Sequence, residues 1–173
     1  MGKALVATAI VLASAIAVTA AQAQDSYEAT LSGTKMTPPT DSRATGLVRI
    51  TVVGPNAFFQ VILADITGVE AVHVHVAGGT VSAGDVALYD GPPSGTINGL
   101  LTIGAFNATS IHDMRWDQFL TALWIGRAWV QVHTKDHPDG DITGRLVRLP
   151  SAPSGPGPLM AVESGSDVPP ATR

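Results

Sequence analysis

Ala71-Val72-His73-Val74-His75-Val76 is the stretch that decides the fold. Valines alternate in it with two histidines, and successive side chains of a β-strand point to opposite faces of the sheet. The pattern predicts a strand that buries its valines and presents His73 and His75 together on the other face. A later stretch, Val130-Gln131-Val132-His133-Thr134, alternates in the same way and places His133 on the face opposite its valines.

Short apolar segments bordered by Gly, Pro and Asp continue this pattern along the chain. Such segments predict strands, at residues 27–31, 46–53, 58–65, 72–76, 86–89, 99–103, 128–134 and 142–148. Gly54-Pro55-Asn56 lies between two of them and is typical of a hairpin turn. Strands at this spacing predict an all-β fold, an antiparallel sandwich or barrel rather than a βαβ fold.

One segment has helical periodicity instead. Between residues 113 and 125 large apolar side chains recur at helical spacing, at Trp116, Leu120, Leu123 and Trp124. We expect one short helix before the penultimate strand. Asp113 is the expected cap of its first turn, and Gly126 is expected to take the left-handed conformation at its end.

The two ends of the chain differ from the centre in composition. Lys3, an alanine-rich apolar run and the pattern Ala21-Gln22-Ala23 predict a cleaved signal peptide over residues 1–23. The apolar run is short of the ~20 residues that a spanning helix needs. Residues 24–149 are predicted to form the sandwich domain, and the Pro-, Gly- and Ser-rich residues 150–173 a flexible tail. We therefore expect a secreted or periplasmic protein with no membrane span after cleavage.

Charge and cysteine content exclude several classes of function. The formal net charge is −4 and no basic patch is evident, which argues against a nucleic-acid partner. The absence of cysteine excludes disulfides, a thiolate metal site and a cysteine nucleophile. Any metal must be held by His, Asp, Glu or backbone oxygen, so the expected partner is a metal ion or an unidentified protein.

His73, His75 and His133 are the candidate metal ligands. Imidazole nitrogen suits Cu(II), and the Irving–Williams order favours copper over other divalent ions, so copper is the favoured cofactor. His137 is a weaker candidate for a fourth ligand, because it lies in a turn where a histidine usually faces solvent. The alternative is that these histidines are ordinary polar residues, hydrogen-bonded to their neighbours without a metal.

Several motifs, in order along the chain, resemble one known family. They are Leu31-Ser32-Gly33, Pro38-Pro39, Ala44-Thr45-Gly46, Ala71-x-His73-x-His75, Leu120-x-x-Leu123-x-x-Gly126, Val130-x-Val132-His133-Thr134 and Pro138-x-Gly140-Asp141-Ile142-x-Gly144. This succession resembles the CHRD domain, named for chordin and also found alone in bacterial secreted proteins. The resemblance implies an immunoglobulin-like β-sandwich outside the cytoplasm, and it implies no particular activity. Trp129, Gln131, Asp141 and Thr143 stand where that family usually has Tyr, Asn, Glu and Arg.

A fainter similarity is to copper–zinc superoxide dismutase, also an exported protein, where a His-Val-His strand and a later Val-His strand supply copper ligands. Together the two resemblances imply an antiparallel Greek-key β-sandwich. His73, His75 and His133 match these two strings. No histidine lies between His75 and His112, so the bridging ligand and the zinc loop of the dismutase have no counterpart. We therefore favour an exported, non-catalytic binding module. A copper-dependent redox enzyme and a structural envelope or matrix domain without metal are the two alternatives.

Overall fold

The computed structural model describes residues 24–77 and 83–150. The predicted signal peptide, residues 1–23, and residues 151–173 of the predicted tail lie outside these ranges. Within them the chain forms nine strands and one α-helix, α1 (Trp116–Trp124). The strands are β1 (Gln24–Ser32), β2 (Thr45–Val53), β3 (Asn56–Ile66), β4 (Val69–Val76), β5 (Gly84–Asp90), β6 (Ile97–Asn107), β7 (Ala128–Thr134), β8 (Ile142–Arg145) and β9 (Val147–Arg148).

Antiparallel pairing joins all the strands into one sheet. The order is β5-β4-β7-β8-β1-β2-β3-β6, with β9 paired to β1. β5 and β6, the two ends of this order, contact each other, so the sheet nearly closes around its inner face. One hydrophobic cluster inside it draws side chains from α1 and from β1 to β8. The predicted all-β antiparallel sandwich class with a single short helix is confirmed.

The alternation read from the two histidine strings is present in β4 and β7. Val72 and Val74 of β4 and Val130 and Val132 of β7 are completely buried in the core. The residues between them, the histidines included, are half-buried on the outer face. Burial of the β-branched side chains therefore fixes which face of the sheet carries the histidines.

The hairpin between β2 and β3 also forms where the turn signal predicts it. Val53 pairs with Asn56, which leaves Gly54 and Pro55 as a two-residue loop. Gly54 has a φ of 58°, in the left-handed region that glycine enters without steric cost.

The predicted start of the helix is wrong. α1 begins at Trp116, and Arg115 holds the N-cap position, its backbone N–H donating to the side chain of Gln118. Asp113 has a φ of 61° and belongs to the turn before the helix, so it does not cap it. Gly126, with a φ of 69°, follows the C-cap Ile125 in the expected left-handed conformation.

The last predicted strand is divided in two. β8 lies between β7 and β1 and pairs with both, whereas β9 pairs with β1, and Leu146 lies between β8 and β9. The Leu146 side chain is completely buried, and its N–H donates to the carbonyl of Ala128. The side chain turns inward at this leucine, and the pairing with β7 ends there.

A three-histidine cluster as the candidate metal site

β4 and β7 are neighbours in the sheet, and their register brings the histidine strings together. Ala71 pairs with His133, His73 with Gln131 and His75 with Trp129. His133 is therefore diagonal to His73, a separation that aromatic side chains on one face can bridge. One ligand atom from each of His73, His75 and His133 lies within 4.8 Å of the others.

The three imidazole rings face one another closely. The ring centroids are 5.3 Å apart for His73 and His133, 5.8 Å for His73 and His75, and 6.1 Å for His75 and His133. Metal–nitrogen bonds of about 2.0–2.1 Å place two nitrogens on one ion no more than about 4.2 Å apart. Side-chain rotations that move the ring nitrogens by about 1 Å are thus enough to bring all three within bonding distance of one ion.

His133 is held by the turn that follows β7. Its Nδ1 lies 2.8 Å from the carbonyl oxygen of Pro138. A carbonyl only accepts hydrogen bonds, so Nδ1 carries the proton and Nε2 has the free lone pair. That Nε2 atom is buried and has no partner among the described residues. A buried acceptor without a partner costs roughly 1–3 kcal/mol, so the fold carries a penalty that a bound cation would remove.

His73 is oriented by a carboxylate. Its Nε2 lies 2.8 Å from Oδ1 of Asp90, at the end of β5. With Nε2 donating to the carboxylate, Nδ1 is the nitrogen left for a metal. Carboxylate–histidine pairs of this kind orient metal ligands and raise their basicity.

His75 is kept in the neutral form by its surroundings. Burial lowers its pKa below the ordinary 6.5, and the positive charges that His73 and His133 can carry lower it further, while Asp85 acts in the opposite direction. On its other side the ring stacks on Trp129, with 5.7 Å between the centroids. A neutral imidazole is the form that binds a metal, so these contacts favour ligation over protonation.

His137 is not brought into the cluster. Its Nε2 lies 4.0 Å from Oδ1 of Asp41, and its backbone is tied to Thr134 in the turn. Gln131, which also faces outward on β7, donates its amide to the carbonyl of Asp139 and contacts no ligand histidine nitrogen through a hydrogen bond. Among the residues described, the close group contains only the three strand histidines.

Asp90 and Pro138 are the partners that the sequence does not reveal. A β-bulge between Val72 and His73 shifts the register of β4 against β5, so that Asp90 pairs with Ala71 and its carboxylate reaches the ring of His73. In sequence, Asp90-Gly91-Pro92 reads only as a turn. No local signal identifies the Pro138 carbonyl, because its position depends on how the 135–140 turn folds back over β7.

The comparison with known families bears on the same residues. The family model described as the CHRD domain matches residues 27–146. The chain belongs to the CHRD family. The match runs from β1 to Leu146 and includes all three histidines, so the cluster lies inside the CHRD domain. No curated protein and no solved structure matches the chain.

Membership of the CHRD family supports a binding module of the extracellular type. Within residues 24–77 and 83–150, no helix is long and apolar enough to cross a membrane. A shallow depression of about 290 Å³ lies beside the cluster, lined in part by His75, Asp85 and Trp129. Solvent therefore reaches the edge of the histidine site.

Proposed function

We propose that this CHRD domain is an exported, non-catalytic binding module that takes up one copper(II) ion through His73, His75 and His133. The observation that carries the proposal is the buried Nε2 of His133, which has a lone pair and no partner among the described residues. A proton on this atom would place a cation next to two other imidazoles. A shared metal ion satisfies all three lone pairs at once.

The chemistry of the donors favours copper over other ions. The group offers three imidazoles and no thiolate. Imidazole nitrogen binds Cu(II), Zn(II) and Ni(II), and Cu(II) is bound most tightly in the Irving–Williams series. The hard ions Ca²⁺ and Mg²⁺ prefer oxygen ligands, so the cluster discriminates against them.

The outer contacts support metal binding over a simple hydrogen-bond network. Asp90 and the Pro138 carbonyl each take a hydrogen bond from the far nitrogen of a histidine ring. Their positions leave Nδ1 of His73 and Nε2 of His133 without protons. Such outer contacts are a general feature of histidine metal sites.

The test is a titration of the metal-free chain with Cu(II) and Zn(II), followed by melting temperature and, for copper, by electron paramagnetic resonance. We expect one equivalent of copper to raise the melting temperature, with a spectrum of nitrogen ligation. His133→Ala and His75→Ala should each abolish the shift. His137→Ala, which removes a histidine outside the cluster, should keep it.

The proposal fails if copper leaves the melting temperature of the folded chain unchanged, or if His137→Ala removes binding as completely as His133→Ala does. In either case the strand histidines are ordinary polar residues. A structural role in contact with another protein would then be the better interpretation. Melting of each metal-free variant, measured alongside, separates loss of binding from loss of fold.

A further inference from the structure

Among the residues that the structure describes, the buried polar side chains are Thr134 and Asp141, and they are hydrogen-bonded to each other. Thr134 is 1% exposed and Asp141 is 6% exposed. Oγ1 of Thr134 donates to Oδ2 of Asp141 over 3.1 Å, while the other carboxylate oxygen, Oδ1, is buried without a partner among the described residues. Burying a carboxylate is costly, so a pair kept at this cost calls for an explanation.

The pair closes the turn that follows β7. Thr134 is the last residue of β7, directly after His133, and Asp141 directly precedes β8. The backbone N–H of Asp141 donates to the carbonyl of Val132 over 2.8 Å, and its own carbonyl accepts from Oγ1 of Thr40 over 2.7 Å. Asp141 is therefore fixed between β7 and the segment before β2, and Thr134 is bonded to this fixed carboxylate.

The hydroxyl of Thr134 also holds the turn from inside. The backbone N–H of His137 lies 3.1 Å from Oγ1 of Thr134 and 3.1 Å from the carbonyl oxygen of the same residue. An N–H only donates, so the hydroxyl accepts this bond and gives its single proton to the carboxylate of Asp141. The direction of both hydrogen bonds is thus determined, and the loss of the hydroxyl removes both.

Pro138 depends on these contacts because proline has no backbone N–H of its own. Its carbonyl, which accepts from Nδ1 of His133, is positioned through the neighbouring residues. His137 on one side is bonded to Thr134, and the carbonyl of Asp139 on the other side accepts from a side chain of β7. Without the Thr134 hydroxyl, the Pro138 carbonyl would be freer to move away from the imidazole.

The position of that carbonyl decides which nitrogen of His133 carries the proton. Beside a fixed carbonyl, the Nδ1–H tautomer gains a hydrogen bond. The Nε2–H tautomer would set two lone pairs against each other and would bury an N–H that has no acceptor among the described residues. A neutral imidazole in water favours the Nε2–H tautomer, which has no lone pair on Nε2. The turn therefore selects the form that can bind a metal through Nε2.

We propose that Thr134 and Asp141 form a positioning pair that selects the Nδ1–H tautomer of His133. Neither residue is a metal ligand, and both act through the Pro138 carbonyl. The inference deepens the proposed copper site and rests on that proposal for its functional meaning. The tautomer itself is a property of the metal-free chain, so it is measured without copper.

The test is nitrogen-15 NMR of the metal-free chain labelled at histidine, at about pH 8, above the ordinary pKa of histidine. The protonated and unprotonated nitrogens of a neutral imidazole have widely separated shifts. We expect His133 of the parent chain to have Nδ1 protonated and Nε2 unprotonated. Thr134→Val keeps the shape of the side chain and removes the hydroxyl, so the two shifts should move toward each other as the tautomers mix. Asp141→Asn should give a smaller change in the same direction, because an amide oxygen accepts a weaker hydrogen bond than a carboxylate.

Two variants serve as controls for the hydroxyl. Thr134→Ser keeps the hydroxyl and should retain the parent shifts. Thr143→Val is the matched control, because the Thr143 hydroxyl on β8 donates to the carbonyl of Val130 and is not bonded to the turn. This variant loses a hydroxyl hydrogen bond to the same strand and should leave the shifts of His133 unchanged.

Copper affinity supplies a second readout. Loss of a direct outer partner of a ligand histidine typically costs 10–100-fold. Thr134 acts one step further away, through Pro138, so Thr134→Val should weaken copper binding by about threefold to tenfold. Thr134→Ser and Thr143→Val should bind copper as the parent chain does.

Three results would overturn the proposal: a parent chain with His133 in the Nε2–H form, equal shifts in Thr134→Val and Thr143→Val, or a Thr134→Ser spectrum that matches Thr134→Val. None of them requires copper. A chain that takes up no copper but shows the expected shifts would contradict the proposed function and leave the selection of the tautomer in place. If Thr134→Val does not fold, the spectra of the parent chain and of Asp141→Asn decide.

Discussion

Asp90→Asn should weaken copper binding without removing any proposed ligand. The asparagine amide oxygen can still accept the hydrogen bond from Nε2 of His73, so the change removes the charge and keeps the shape. Loss of an outer-shell partner of a metal-binding histidine typically costs 10–100-fold in affinity. The Asp90 side chain is 62% exposed, and solvent screening of an exposed carboxylate places the expected loss near the tenfold end.

The effect on stability follows from linkage between binding and folding. At a free copper concentration of about 100 times the parent dissociation constant, binding stabilises the fold by about 2.7 kcal/mol. A tenfold loss reduces this to about 1.4 kcal/mol, and a hundredfold loss reduces it to about 0.4 kcal/mol. The melting temperature of a domain of roughly 125 residues rises by about 4 °C for each kcal/mol of added stability. For a tenfold loss of affinity, the copper-induced rise in melting temperature should therefore fall from about 10 °C to about 5 °C.

The assay is melting by circular dichroism at fixed free copper, with affinity measured separately by competition against a coloured chelator. Asp41→Asn is the matched control, since it removes an exposed carboxylate beside His137 and should leave the shift at its parent value. Unchanged copper affinity in Asp90→Asn would refute the argument that this carboxylate orients His73. An equal loss in Asp41→Asn would attribute the effect to net charge.

Three further predictions test other contacts. The pKa of His75 in the folded chain is below 6.5, so the unfolded chain takes up this proton first as the pH falls, and the free energy of unfolding of the metal-free chain should decrease below pH 6.5. Urea denaturation at pH 7.5 and at pH 5.5 measures this decrease, which should be smaller in His75→Gln. Trp129→Phe should lose most of the copper-induced quenching of tryptophan fluorescence and keep the affinity, since Trp129 stacks on His75; retained quenching would show that copper binds elsewhere. Gly140→Ala should destabilise the fold by more than about 1 kcal/mol, because of its positive φ and the collision with Gln131; a denaturation midpoint equal to the parent's would contradict the close contact.

Alternating patterns predict the faces of the strands well, and long-range pairing only poorly. The buried valines of β4 and β7 fix the outward direction of His73, His75 and His133, and this much follows from a period of two. That β4 and β7 are neighbours does not follow, because β5, β6 and α1 lie between them in sequence. The resemblance to the CHRD domain predicted the sandwich class, whereas the register between β4 and β7 could be known only from the structure.

Contacts that depend on irregular backbone cannot be predicted from the alternation of apolar and polar residues. The bulge in the β4–β5 pairing brings Asp90 to His73, and the 135–140 turn brings the Pro138 carbonyl to His133. The incorrect start of α1 has a similar origin. Asp113 is a good capping residue by type, but its left-handed conformation places it in the turn before the helix.

The outer face of β7 explains how Trp129 can report on the metal site without being a ligand. Trp129, Gln131 and His133 occupy alternate positions of this strand, spaced about 6.5–7 Å apart. Trp129 is therefore about 13 Å from His133 along the strand. Its ring nevertheless stacks on that of His75, another of the proposed ligands, with 5.7 Å between the centroids. A metal ion shared by His73, His75 and His133 would lie close to the indole ring, which is why copper bound at this site should quench the fluorescence of Trp129.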